Sequence, residues 1–238
     1  EWGLKPDMAL GHSVGEVAAA YATGALGLAE AVHVIFHRSE HQETVFGEGG
    51  MAVANLPQAD ALALIAGSGL DGLEIAAVNS PNSVTISGPD ATIREFSRGA
   101  RKRRIAVRVL DIAYPVHSTL LAPLRLPLLE SLGDFAAEPG NVPFISTVTG
   151  DVLAGDALDR EYWWRNVREP VRFRDAIEAA GRQGATLFVE IGPRPILTGN
   201  MTDTLGEAGR DGSVIQSLVE KDDKGDPLAT IAARALVL

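Results

Sequence analysis

Gly11-His12-Ser13-Val14-Gly15 is the first stretch of this sequence whose residue types and spacing suggest chemistry. The pattern G-x-S-x-G places a serine on a sharp strand-to-helix turn, where neighbours two positions away must be nearly free of side chain for the backbone to fold back. Residues 6–10 read as a short buried strand and an Ala-rich segment follows as a helix, so the turn has the flanks it needs. The free N–H groups opening that helix, and the positive end of its dipole, lie beneath Ser13 and favour an oxyanion. The Val14 N–H is the natural first donor. A chance pentapeptide in a Gly- and Ala-rich chain is the competing account, weakened by the strand and helix on either side.

A serine nucleophile needs a base, and the sequence offers five histidines. His12 adjoins Ser13 but is pinned inside the turn. His33, His37 and His41 share one helix, read over residues 28–46. His117, in Tyr114-Pro115-Val116-His117-Ser118, follows a strand end in a loop from which it can swing onto Ser13. The bland alternative is an exposed loop histidine.

The helix at 28–46 carries a cation in an awkward place. At about 100° per residue, Ala31, Val34, Ile35, Gln42 and Val45 gather on one side with Arg38 in their midst. A guanidinium keeps its charge and is costly to bury unpaired. It must meet a carboxylate: an Asp or Glu of the protein, or a ligand carboxylate held bidentately. His33, His37 and His41 fall on the opposite face with Glu30 and Glu40. The stretch His37–His41 fits H-x-x-E-H, a zinc-site spacing that requires both histidines to face a cavity. On a charged, solvated face it is expected to hold no metal. The basic run Arg98, Arg101, Lys102, Arg103 and Arg104 reads as a solvated helix end, or alternatively as a docking patch for an acidic partner or a phosphate-bearing ligand.

These residues need a scaffold, and the chain is long enough for one large domain or two small ones. Its 238 residues are 46% apolar and 22% charged, ordinary globular composition that excludes a disordered tail, a collagen-like fibre or a coiled coil. A net charge of −10 speaks against nucleic-acid binding through bulk charge. Without cysteine there are no disulfides or thiolate metal sites. No apolar run is long enough to span a bilayer, so no membrane association and a cytoplasmic location are expected. Strands at 51–56, 73–78, 83–87 and 105–112, with helices at 58–66 and 90–100, give the order βαββαβ of a ferredoxin-like unit. It is read as an inserted small subdomain, residues 49–112, between the two parts of a large one, residues 1–48 and 113–238. Helices at 120–132, 159–167 and 173–183 and strands at 143–147 and 186–191 complete an α/β architecture.

Five ordered motifs together resemble a known family: Gly-His-Ser-Val-Gly-Glu at 11–16, Arg38 25 positions after the serine, Tyr-Pro-Val-His at 114–117, residues 162–173 from Tyr162 to Phe173, and Glu190-Ile191-Gly192-Pro193. The sequence is similar to the acyltransferase domains of type I polyketide synthases, relatives of the malonyl-CoA:acyl carrier protein transacylases, from its start to about residue 224. The resemblance implies an α/β-hydrolase-like large subdomain with a ferredoxin-like insertion. It implies Ser13 as acyl-carrying nucleophile, His117 as base, Arg38 as clamp for a substrate carboxylate, and Val14 N–H as an oxyanion donor. Asn166 matches the position whose main-chain carbonyl orients the histidine in that family. His12, Tyr114 and Val116 would line the substrate site. The implied partners are an acyl carrier protein bearing phosphopantetheine, the ketosynthase and other domains of a synthase, and an acyl-CoA; no cofactor is bound. Runner-up readings are a serine esterase or thioesterase, which leaves Arg38 unexplained, and a catalytically silent docking module.

Two departures from the family pattern matter. The family carries a Gly-Gln motif before the serine turn, and its glutamine helps form the oxyanion hole; this sequence starts too late to include it. Loss of one such donor costs about 100- to 1,000-fold, so these residues alone are expected to be nearly inactive and to expose an apolar face or edge. In the family, a Phe in the histidine tetrad tends to accompany malonyl and Tyr-Ala-Ser-His methylmalonyl. Tyr114-Pro115-Val116-His117 is neither. Val116 leaves more room than Phe, whereas Val14 leans towards malonyl, which is the expectation, with methylmalonyl or a larger extender as the alternative. One methyl is worth only about 1–3 kcal/mol in such a pocket.

Overall fold

The computed structural model describes residues 5–217. Residues 1–4 and 218–238 of the expected large subdomain lie outside that range. The first part comprises β1 (Ala9–Leu10), α1 (Gly15–Thr23) and α2 (Leu28–Glu43). A small subdomain follows as β2 (Gly49–Ala54), α3 (Gln58–Ala66), β3 (Glu74–Ser80), β4 (Ser83–Pro89), α4 (Asp90–Lys102) and β5 (Val107–Val109). The chain then returns through α5 (Arg125–Leu132), β6 (Phe144–Ser146), β7 (Asp151–Leu153), α6 (Arg160–Arg168), α7 (Phe173–Arg182), β8 (Leu187–Glu190), α8 (Thr198–Glu207) and β9 (Ser213–Gln216).

The small sheet has the order β3-β4-β2-β5, antiparallel throughout, which is the ferredoxin-like arrangement. Ile75, Val84, Ile86, Ile93 and Phe96 form its core beneath α3 and α4. In the large subdomain β1 pairs with β6 in parallel, β7 adds an antiparallel edge, and β8 and β9 form a separate parallel pair. Val17, Val34, Leu121, Leu128, Phe144 and Trp163 centre one core; Phe173, Ile177, Met201 and Leu205 centre another.

β3 serves both subdomains. One edge is laddered to β4. On the other side, Val78 N–H donates to Val171 O and Val171 N–H to Ala76 O, each at 2.9 Å. The Glu74 carboxylate at its start accepts from the Thr119 N–H and hydroxyl at 2.6 Å and from Arg168 Nη2 at 3.0 Å. At its end the Ser80 hydroxyl donates to Asp203 at 2.6 Å.

α2 is oriented differently from its sequence reading. Ala31, Val34 and Arg38 are buried as expected, but Ile35 is 42% exposed and shares an outward face with Leu28, Val32 and Phe36. The histidine face is partly covered: Glu40 is exposed, but the histidines are half-buried. His33 Nε2 lies 3.1 Å from Leu132 O and His41 Nε2 2.9 Å from Ser131 Oγ, because α5 packs there. Both corrections share one cause: an isolated helix has one apolar stripe, whereas α2 is contacted from two sides and its long apolar residues point along the third.

Candidate active site

The turn after β1 holds Ser13 at φ 53°, left-handed backbone that a side-chain-bearing residue enters only when its surroundings enforce it. N–H groups of Gly15, Glu16 and Val17 close back onto the carbonyls of His12, Ser13 and Val14 at 3.0–3.1 Å. A Cβ on Gly11 would sit 2.1 Å from the Gly15 carbonyl carbon and 2.2 Å from Glu16 N, so this position requires glycine. Gly15 is different: an added Cβ meets no described atom within 4 Å. Only the first of the two glycines is sterically forced, because the chain crosses itself at Gly11 and runs outward at Gly15.

The Ser13 hydroxyl lies 2.7 Å from His117 Nε2. His117 is 2% exposed and also holds a left-handed backbone at φ 59°, so it is no exposed loop residue. Its Nδ1 is 2.8 Å from Glu169 O. A carbonyl only accepts, which places the proton on Nδ1 and leaves the Nε2 lone pair facing the serine. The orienting carbonyl is therefore that of Glu169 and not of Asn166, a correction to the resemblance. Asn166 sits inside the last turn of α6. Glu169 is the first residue beyond it, extended ahead of Pro170, so its carbonyl leaves the helix direction and reaches the imidazole.

Burial, followed by the Arg38 guanidinium, pushes His117 down to about 3, so it is neutral at neutral pH. His12 is lowered by burial too. Both are lowered in the folded state, so the unfolded chain binds more protons once pH falls below about 6.5, and stability is lost in that direction. Going from pH 7 to pH 5, His117 alone should cost about 2 kcal/mol. Urea midpoints at the two pH values should reveal a drop that is smaller in His117→Gln; an equal drop would contradict the assignment.

The Asn166 side chain has work of its own. Its Nδ2 donates to Ser13 O at 3.1 Å and to Glu16 Oε2 at 2.6 Å, and its Oδ1 accepts from Arg38 Nη1. Arg38, 4% exposed, also donates from Nη2 to Ser13 Oγ at 3.0 Å and from Nε to Gln42 Oε1 at 3.4 Å. No carboxylate of the described residues lies within ion-pair distance of it. Burial lowers Arg38 to about 10 while the nearby Glu16 charge raises it, so it stays cationic.

The remaining expected residues fall around this centre. His12 Nε2 is 2.9 Å from Asn79 Oδ1 of β3, and its ring lies against Phe173, tilted by 57° with centroids 5.3 Å apart. Val14, 49% exposed, caps the start of α1. Val116 packs against the large-subdomain core. Tyr114 turns away, its hydroxyl 2.6 Å from Glu43. His37, Glu40 and His41 bring ligand atoms within 4.8 Å of one another on the α5 side of α2. The basic run at the end of α4 is exposed on the small subdomain. Glu16 and Glu169 carry contacts that the sequence reading gave no role. Glu16 had one available signal, an acid on the inward side of a helix start three residues after Ser13.

Residues 2–235 match the acyl transferase domain family, and the chain belongs to it. It is 37% identical over 98% of its length to erythronolide synthase EryA2 of Saccharopolyspora erythraea and 41% identical over 91% to polyketide synthase GfsB of Streptomyces halstedii. It spans only 6% and 4% of those proteins. The acyltransferase domain from module 8 of the salinomycin polyketide synthase superposes with TM-score 0.91 at 32% identity, covering 97% of this chain and 54% of that one. The fold is thus the α/β two-subdomain fold of acyltransferase domains, an α/β-hydrolase-like body with a ferredoxin-like insertion. No helix among the described residues is long and apolar enough to cross a membrane.

Proposed function

We propose that the chain moves a malonyl-type dicarboxylic acyl group from CoA to the phosphopantetheine thiol of an acyl carrier protein, by way of an ester on Ser13. The observation that carries this reading is Arg38: a buried cation 3.0 Å from the nucleophile, with no carboxylate of the described residues against it. A free carboxylate on the acyl group supplies the missing partner.

In the first half-reaction His117 Nε2 accepts the Ser13 proton as Oγ attacks the thioester carbonyl. The Val14 N–H stabilises the resulting oxyanion. The intermediate collapses, the C–S bond breaks, and the CoA sulfur leaves with the proton from Nε2. In the second half-reaction the carrier thiol yields its proton to Nε2, attacks the ester, and Ser13 regains the proton. Transfer rather than hydrolysis requires that water be kept from the ester until the carrier arrives. No bound cofactor enters this scheme. Malonyl is the proposed extender, with the ketosynthase and carrier of a polyketide synthase as working partners, in the cytoplasm.

Incubating the full-length polypeptide that contains these residues with malonyl-, methylmalonyl- and acetyl-CoA tests the reading. Peptide mass spectrometry should find a malonyl adduct on Ser13 that phosphopantetheinylated carrier protein discharges. Fast hydrolysis of simple esters, indifferent to Arg38, would instead make it an esterase. Carrier binding without acylation would make it a docking module.

A further inference from the structure

Glu16 is 0% exposed, and its carboxylate is surrounded by donors from other elements. Oε1 accepts from the Thr147 N–H; Oε2 accepts from the Tyr162 hydroxyl at 2.8 Å and from Asn166 Nδ2 at 2.6 Å. The Tyr162 oxygen also lies 2.8 Å from Ser146 Oγ, whose own lone pairs take the N–H groups of Val148 and Thr149 at 3.1 Å. Ser146 therefore spends its proton on Tyr162, and Tyr162 spends its own on Glu16. Thr147 N–H and Asn166 Nδ2 can only donate. Burial pushes the Glu16 carboxyl up from its ordinary range, but the hydrogen-bond pattern around it fits the ionised form, because a proton on it would find no acceptor.

That charge fixes the direction of everything beyond it. With one Nδ2 hydrogen committed to Glu16 and the other to Ser13 O, Asn166 has only its Oδ1 to offer Arg38 Nη1. Held there, the guanidinium presents Nη2 to Ser13 Oγ. If Asn166 were turned over, its NH2 group would face a cation that has nothing but donors.

We propose that Glu16 is a positioning residue for acyl selection: through the Asn166 amide it supplies the counter-charge of Arg38 and locks the guanidinium beside Ser13. A direct Glu–Arg ion pair would have to be broken before a substrate carboxylate could bind. Placing an amide between the two charges compensates the cation and leaves its binding edge unoccupied by protein carboxylate. The inference rests on Arg38 being the clamp for the acyl carboxylate.

Glu16→Gln keeps the shape and removes the charge, so nothing enforces the orientation of Asn166. In the full-length polypeptide, kcat/KM for malonyl transfer should fall about 10- to 100-fold, mainly through KM, while acetyl transfer changes less than about threefold. Tyr162→Phe, which removes a different Glu16 bond, should lower the melting temperature and leave the malonyl-to-acetyl ratio unchanged. Asn166→Ala breaks the next link and should collapse the ratio as Glu16→Gln does; it decides the matter if Glu16→Gln does not fold. An equal loss for both substrates, or no change in the ratio, overturns the proposal. Arg38→Ala in the same assay separates the two ideas. If it alone collapses the ratio, the clamp stands and the role of Glu16 fails; if it leaves the ratio intact, the clamp itself fails.

Discussion

Replacing His117 by alanine is expected to slow acylation of Ser13 by about 1,000-fold or more while acyl-CoA binding stays nearly unchanged. The size follows from the absence of a substitute. Ser13 Oγ has two described partners, His117 Nε2 at 2.7 Å and the Arg38 guanidinium at 3.0 Å, and the second is a donor only. His12, the next imidazole, has its Nε2 committed to Asn79. Glu16 is enclosed by donors and does not reach the hydroxyl. With His117 removed, the serine must lose its proton to water in a site that disfavours an extra proton. A single-turnover burst of CoA release measures the step directly. Ser13→Ala in parallel should show no burst and no adduct. A His117→Ala variant within tenfold of the parent rate would mean that another group is the base.

Arg38→Ala should cost malonyl transfer about 100- to 1,000-fold in kcat/KM, the usual scale for truncating one partner of a buried, hydrogen-bonded charge pair. Acetyl transfer should hold or rise, since the pocket no longer contains a desolvated cation that an uncharged methyl group cannot satisfy. The preference between the two acyl groups is then inverted rather than merely weakened. Arg38→Lys should recover little, because an ammonium cannot span Asn166 Oδ1, Ser13 Oγ and a carboxylate with one planar fork. Competition between malonyl- and acetyl-CoA, read as adduct masses on Ser13, gives the ratio in one measurement. Equal losses on both substrates would reduce Arg38 to a structural residue.

Much of this architecture is legible in the amino-acid sequence. The βαββαβ order is legible from short apolar runs alternating with two helical stretches, and the glycines and prolines between them mark the turns. Ser13, His117 and Arg38 stood out because each breaks a local expectation: a serine between glycines, a histidine after a strand, a cation on an apolar stripe. The elements that escaped are those whose local signal is weak. α8, Thr198–Glu207, contains two glycines, three threonines and an asparagine, poor helix formers, and is held by Met201 and Leu205 buried against α7. β7 and β9 are three and four residues long. Orientation was lost for a similar reason. The outward face of α2 and the carbonyl at His117 depend on what packs against a helix and where it stops, and neither is encoded in the helix itself. Glu16 was hidden by ambiguity, since an acid in the first turn is what a helix dipole wants in any case.

The double duty of β3 bears on how such domains can be recombined. Chain connectivity invites a graft of the small subdomain, with cuts near residue 48 and residue 110 and only two backbone junctions to rejoin. Connectivity is misleading here. The grafted sheet would bring its own residues opposite Val171, Thr119, Arg168 and Asp203, and its own partner for His12 inside the serine turn. A chimera that respects both junctions can still misplace Ser13, and the unit to exchange is the insertion together with the surfaces β3 touches.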